Sequence, residues 1–134
     1  MTKINRFLIV LILGMAILMG TMGWTADFSI KEAELLNQEV NRFCKQGQYE
    51  DAIPLAERIL AICEKSLGPE HPQTALALSK LAEIYSAMGD YDEAEPLYRR
   101  SLAIQEKSLG PHHPDTVTTL HSLYLLQQMI HGSD

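Results

Sequence analysis

The chain repeats itself. The segment GQYEDAIPLAERILAICEKSLGPEHPQTALAL, beginning at Gly47, returns 42 residues later as GDYDEAEPLYRRSLAIQEKSLGPHHPDTVTTL, beginning at Gly89. When Gly47–Met88 is laid over Gly89–Ile130, roughly 20 positions are identical, more than unrelated segments reach by chance. A period of this length belongs to chains built from stacked supersecondary units. Each unit has an apolar face that it cannot bury alone, so neighbours must cover it.

The matches fall where helices need punctuation. Gly47 and Gly89 follow helical stretches, where a left-handed C-terminal cap favours glycine. Asp90 with Glu93 predicts a capping pair for the next helix. Gly68-Pro69 and Gly110-Pro111 stop that helix, and Pro72 and Pro114 suit the first turn of the following one. Between these marks, Ala52, Leu55, Ile59/Leu60 and Ile62 recur at steps of three and four, as do Leu78, Leu81, Ala82 and Tyr85. No run alternates as a strand would. The expected fold is all-α: an α-solenoid of antiparallel helix hairpins, with helices at about residues 30–46, 49–67, 72–88, 91–109 and 114–130. The first helix is expected to open on a capping box of Ser29 and Glu32. This is about two and a half repeats.

The N-terminus follows other rules. Lys3 and Arg6 precede FLIVLILGMAILMG, and no charge appears again until Asp27. A basic start, an apolar run of about 13 residues and small residues after it have the pattern of an export signal. Cleavage after Gly23, with Thr21 three positions from the cut, is one outcome. About 20 uncharged residues would also just span a bilayer, so an uncleaved anchor is the other. Residues 1–26 are therefore expected to be a signal peptide or N-terminal membrane anchor, and 27–134 the helical domain. Lys3 and Arg6 would hold the N-terminus in the cytoplasm. The domain would then be periplasmic or secreted, or tethered to the inner membrane by the N-terminal segment alone.

Composition narrows the function. Eleven Lys+Arg against seventeen Asp+Glu give a formal charge of −6, without the basic stripe of a nucleic-acid binder. Two cysteines are too few for a disulfide framework. Cys44 and Cys63 correspond to the polar Ser86 and Gln105, which places neither at an obligatory core position. Their helical registers set them too far apart to bridge within one chain. His71 and His113 occupy the same repeat position, in Gly-Pro-X-His-Pro, and read as loop or helix-cap structure. Glu50/Asp51 and Asp92/Glu93 open helices, where acids favour the positive end of the dipole. No nucleophile elbow or phosphate loop occurs, so neither enzymatic activity, a cofactor nor a metal site is expected.

The stretch LAEIYSAMGDYDEAEPLYRRSLAIQEKSLGPHHPDT, from Leu81 to Thr116, resembles the tetratricopeptide repeat (TPR), in its longer kinesin-light-chain-like form of about 42 residues. Ala82, Gly89, Tyr91 and Ala94 resemble that family's small and aromatic packing positions. The resemblance implies a protein–protein interaction module whose concave face grips a peptide or a helix of a partner protein. Family spacing puts Asn37, Asn41 and Cys44 on that face from the first helix. It adds Leu76, Ser79, Glu83 and Ser86 from the third, and His121, Leu125 and Gln128 from the last. Lys80 stands where such repeats often carry Asn, and no basic clamp for a carboxylate is present. The first helix departs from the pattern, with Glu39 and Val40 in place of Leu81 and Ala82, and reads as a terminal cap. A rival reading is a redox- or metal-responsive envelope protein using Cys44 and the histidines.

The last helix also departs, with Tyr124 in place of Ala82. Leu120, Leu123, Tyr124, Leu125, Leu126, Met129 and Ile130 spread apolar side chains over more than one stripe. Either Tyr124 and Leu126 fold onto the body, or the helix offers a patch for a partner or for a homo-oligomer. For the N-terminus the expectation is sharp. Residues 1–30 fused to a reporter active only outside the cytoplasm should give signal; silence there with activity from a cytoplasmic reporter would contradict it.

Overall fold

The computed structural model describes residues 22–132; the apolar run of the expected signal lies outside them. Five helices follow one another: α1 Met22–Lys45, α2 Tyr49–Ser66, α3 Pro72–Met88, α4 Tyr91–Ser108 and α5 Pro114–His131. Each packs on its sequence neighbour, so the described residues form an all-helical stack without strands. No helix among the described residues is long and apolar enough to cross a membrane.

The repeat's punctuation works as its chemistry requires. Gly89 takes φ 87°, its N–H reaches the Ser86 carbonyl, and the Asp90 N–H reaches Tyr85. This pair of bonds closes α3 in a Schellman cap, and the same two bonds recur after α1 at Gly47 and Gln48. Pro72 and Pro114 open α3 and α5, where a missing N–H costs nothing. The preceding histidines are the N-caps. His71 Nδ1 accepts from the Gln73 N–H at 3.1 Å, and His113 Nδ1 from the Asp115 N–H at 3.2 Å.

Two caps differ from expectation. The α1 helix does not open at Ser29 but runs through it from Met22, so the expected 26/27 boundary falls inside a helix. No proline lies upstream to stop it, and once nucleated a helix gains a bond per added residue. Asp90 precedes α4 without a side-chain cap bond. The acids at Asp92 and Glu93 sit in that helix's first turn, as Glu50 and Asp51 do in α2.

Helix α3 is the centre of the packing. Leu81 and Ile84 join Val40 of α1 with Ala52 and Ala56 of α2. Ala82 joins Ala94 and Tyr98 of α4 with Leu123 and Leu126 of α5. Ala75 and Leu78 meet Ile104 of α4. Val40 is fully buried at the position of Ala82, so α1 keeps the repeat's core register despite its divergent sequence. Cys63 and Gln105 are also buried, a correction to the sequence reading. Polarity misled there, because Gln105 is enclosed with neither amide atom hydrogen-bonded. The last helix splits: Leu123 and Leu126 are buried, whereas Val117, Leu120, Tyr124, Leu125 and Met129 are exposed.

Ala94 is fully buried against α3. Its replacement by Leu should cost about 1–3 kcal/mol by overpacking. Chemical denaturation reads this directly, and an unchanged midpoint would contradict the packing.

Candidate functional site

The first helices of the hairpins, α1, α3 and α5, line a concave groove of about 670 Å³. From α1 come Ile30, Ala33, Glu34, Asn37 and Asn41; from α3, Gln73, Leu76, Ala77, Ser79, Lys80 and Glu83; from α5, Asp115, Thr118, Thr119 and Ser122. Ala56, Ile59, Cys63 and Leu67 of the α2 segment, His71 and Tyr98 complete it.

Of the residues that family spacing put on the concave face, the groove brings together Asn37, Asn41, Leu76, Ser79 and Glu83. Cys44, Ser86, His121, Leu125 and Gln128 are not part of its lining. The division has a geometric cause. Helix α3 lies between two neighbours and contributes both of its edges, whereas α1 and α5 each contribute only the edge that faces inward. Asn37 and Asn41 correspond to Ser79 and Glu83 on one edge. Asp115, Thr118, Thr119 and Ser122 correspond to Gln73, Leu76, Ala77 and Lys80 on the other. His121, Leu125 and Gln128 repeat the Ser79, Glu83 and Ser86 edge, which at α5 faces away from the preceding helices. Cys44 and Ser86 lie about a turn beyond the groove's end. The repeat offset finds the α5 lining only once the edge of α3 that faces α5 is told apart from the edge that faces α1.

The floor is held by a relay of hydroxyls across three helices. Ser101 of α4, fully buried, donates to the Ala75 carbonyl at 2.7 Å. A hydroxyl has one proton to give. Ser79 must therefore donate to Ser101 across 2.6 Å, and Thr119 to Ser79 across 3.2 Å. Ser79 thus belongs to the scaffold as well as to the groove. Beside it Tyr98 passes from α4 toward the groove with its ring buried. Its phenol is pushed up to about 12, chiefly by burial, with the nearby Glu83 charge adding to the rise and a hydrogen bond with Ser122 opposing it. Glu34, Glu83 and Asp115 face one base, Lys80, whose Nζ lies 3.4 Å from Glu83. The groove is therefore polar, rich in amides and hydroxyls, and weakly acidic.

Cys44 and Cys63 are free thiols, and burial with the Glu64 charge pushes Cys63 up, away from the lowered value a reactive thiol needs. No three His, Cys, Asp or Glu side chains converge as metal ligands among the described residues.

The family model described as tetratricopeptide repeat matches residues 31–107 and 74–130. The chain belongs to the tetratricopeptide repeat family. Among solved structures it is similar to nearly identical TPR-like repeats assigned to a kinesin light chain of Podosopora anserina. The TM-score is 0.66 at 31% identity, over 76% of this chain and 49% of that one. A point-substituted form of the same repeats matches with the same TM-score and coverage at 32% identity. The tetratricopeptide chain described here thus spans about half the length of those structures. No curated protein matches it. Tetratricopeptide repeats mediate protein–protein interaction, and the fold is in general a non-catalytic scaffold.

The Tyr98 phenol gives this tetratricopeptide domain an alkaline signature. Its folded value lies above the ordinary value of 10, so its contribution is complete below pH 10 and is lost as pH rises toward about 12. Tyr98→Phe should flatten the fall in stability across that window, read from denaturation midpoints. An unchanged slope would place the phenol in solvent.

Proposed function

We propose that this chain is an exported tetratricopeptide adaptor whose groove holds a peptide or helix of a partner protein. The observation that carries this reading is the groove itself. It has amide side chains one helical turn apart at Asn37 and Asn41, hydroxyls at Thr118 and Ser122, and apolar patches at Ile30, Ile59 and Leu76. Amides supply both donors and acceptors, which suits the backbone of a bound segment. The apolar patches accept its side chains. Three acids against Lys80 favour a segment that carries Lys or Arg, held with a dependence on salt. Export rests on the basic-then-apolar N-terminus, which supports delivery of the domain across a membrane in cleaved or anchored form.

A random-peptide display selection on the purified chain, followed by calorimetry of the selected peptides, tests the reading. The selected peptides should carry net positive charge. Asn41→Arg and Glu83→Lys should each weaken their binding about tenfold, or about 1.4 kcal/mol, with helical content unchanged. Selection of no peptide would contradict the proposal. So would binding indifferent to both substitutions but lost on changing the outward-facing Arg99.

A further inference from the structure

With proline at the first helical position, the first backbone N–H of α3 belongs to Gln73 and that of α5 to Asp115. In both helices a histidine ring nitrogen accepts it, His71 Nδ1 at 3.1 Å and His113 Nδ1 at 3.2 Å. The commoner caps, serine, threonine and asparagine, accept through an oxygen whose charge does not change near neutral pH. An imidazole accepts at Nδ1 only while that nitrogen carries no proton. Each cap therefore fixes its ring as the neutral form protonated at Nε2, and a second proton abolishes the bond.

One residue separates the two caps. His113 Nδ1 also lies 3.8 Å from Asp115 Oδ2, so a proton taken up there is met by a carboxylate and the ring stays tied to the start of α5. Helix α3 has Gln73 at the equivalent position and no acid in its first turn. An imidazolium at His71 loses the Gln73 N–H and stands as a positive charge at the positive end of the helix dipole. The titratable groups lining the groove with His71 are Glu34 of α1, Cys63 of α2, Lys80 and Glu83 of α3, Tyr98 of α4 and Asp115 of α5. Cys63 and Tyr98 are both pushed up, so neither changes charge as pH falls from neutral. Glu70, next to His71 in the chain, is engaged by Lys107 of α4. None of the acids stands within α3's first turn, where Asp115 stands in α5.

We propose that His71 is an acid-released latch on α3, closing the helix's first turn while neutral and letting it loosen once protonated, while Asp115 keeps α5 tied. His71, Gln73 in that turn and Leu76 and Ala77 just after it all line the groove, so mild acid slackens one end of the groove. The loosening is local, because buried Thr74 still donates to the Gly68 carbonyl at 2.7 Å. It holds whatever occupies the groove.

Imidazole nitrogen resonances and amide-exchange protection of the isotopically labelled full chain in detergent test it across the range around pH ~6.5 in which imidazoles ordinarily take up a proton. On the alkaline side, Nδ1 of His71 should be unprotonated. As the ring gains its proton, protection of the Ala75 amide should fall about threefold or more relative to Val117. These two amides are equivalent, bonded to the His71 and His113 carbonyls. His71→Asn, which keeps an acceptor throughout, should abolish the difference, and Gln73→Asp, which copies α5, should reduce it. The inference is overturned by a proton on Nδ1 of His71 on the alkaline side or by equal protection of Ala75 and Val117 throughout. A fall at Ala75 that persists in His71→Asn overturns it as well.

Discussion

The molecule depends on how closely its helices approach along α3. That helix is buried on both sides, by α1 and α2 on one and α4 and α5 on the other, and contributes to every core cluster of the described residues. Close approach requires small side chains, and Ala52, Ala75, Ala82, Ala94 and Ser101 are all fully buried. A methyl or hydroxymethyl lets backbones come near enough for Ser101 to reach the Ala75 carbonyl. Larger residues would hold the helices apart and cost both packing contacts and that bond. Surface ion pairs such as Arg100–Glu64, at 2.7 Å, span neighbouring hairpins but are solvated and add little.

From that spacing the groove follows. When first helices stack on one side and second helices on the other, unequal separations curve the stack, and the inner surface is concave. The groove is therefore a by-product of the seams, and its floor is made by groups that also hold the seams. The relay from Thr119 through Ser79 to Ser101 ties α5, α3 and α4, while Tyr98 carries a buried ring from α4 to the same floor. Polar groups of the lining with no part in the relay, among them Asn37, Asn41, Glu34, Gln73 and Glu83, are left for a ligand.

Much of this was legible because a repeat writes each constraint twice. The glycines at 47 and 89, the prolines at 72 and 114 and the alanines at 82 and 94 had one reading each, since backbone geometry or steric room leaves few alternatives. The histidines at 71 and 113 read as structure and cap their helices. Where the first helix departs from the repeat in sequence, a local signal failed. Ser29 looked like a cap, but a cap needs the chain upstream to leave the helix, and nothing there forces it to. Polarity also misplaced Cys63 and Gln105, which are enclosed although Gln105 gains no hydrogen bond in exchange. On the last helix, the residues assigned by family spacing lie outside the groove's lining. An end helix has only one inward edge, and which edge that is depends on neighbours that the offset does not encode.

If the seams along α3 shape the protein's working surface, the surface they curve is the one that binds. Backbone amide resonances of the isotopically labelled chain, followed during titration with a selected peptide, separate that surface from the rest. The largest shifts should cluster at Asn37, Asn41, Leu76, Glu83, Thr118 and Ser122, with little change at Arg99, Glu106 or the neighbours of Pro54 on the second helices. Shifts concentrated on those second helices, with the groove amides still, would show that the binding surface lies elsewhere.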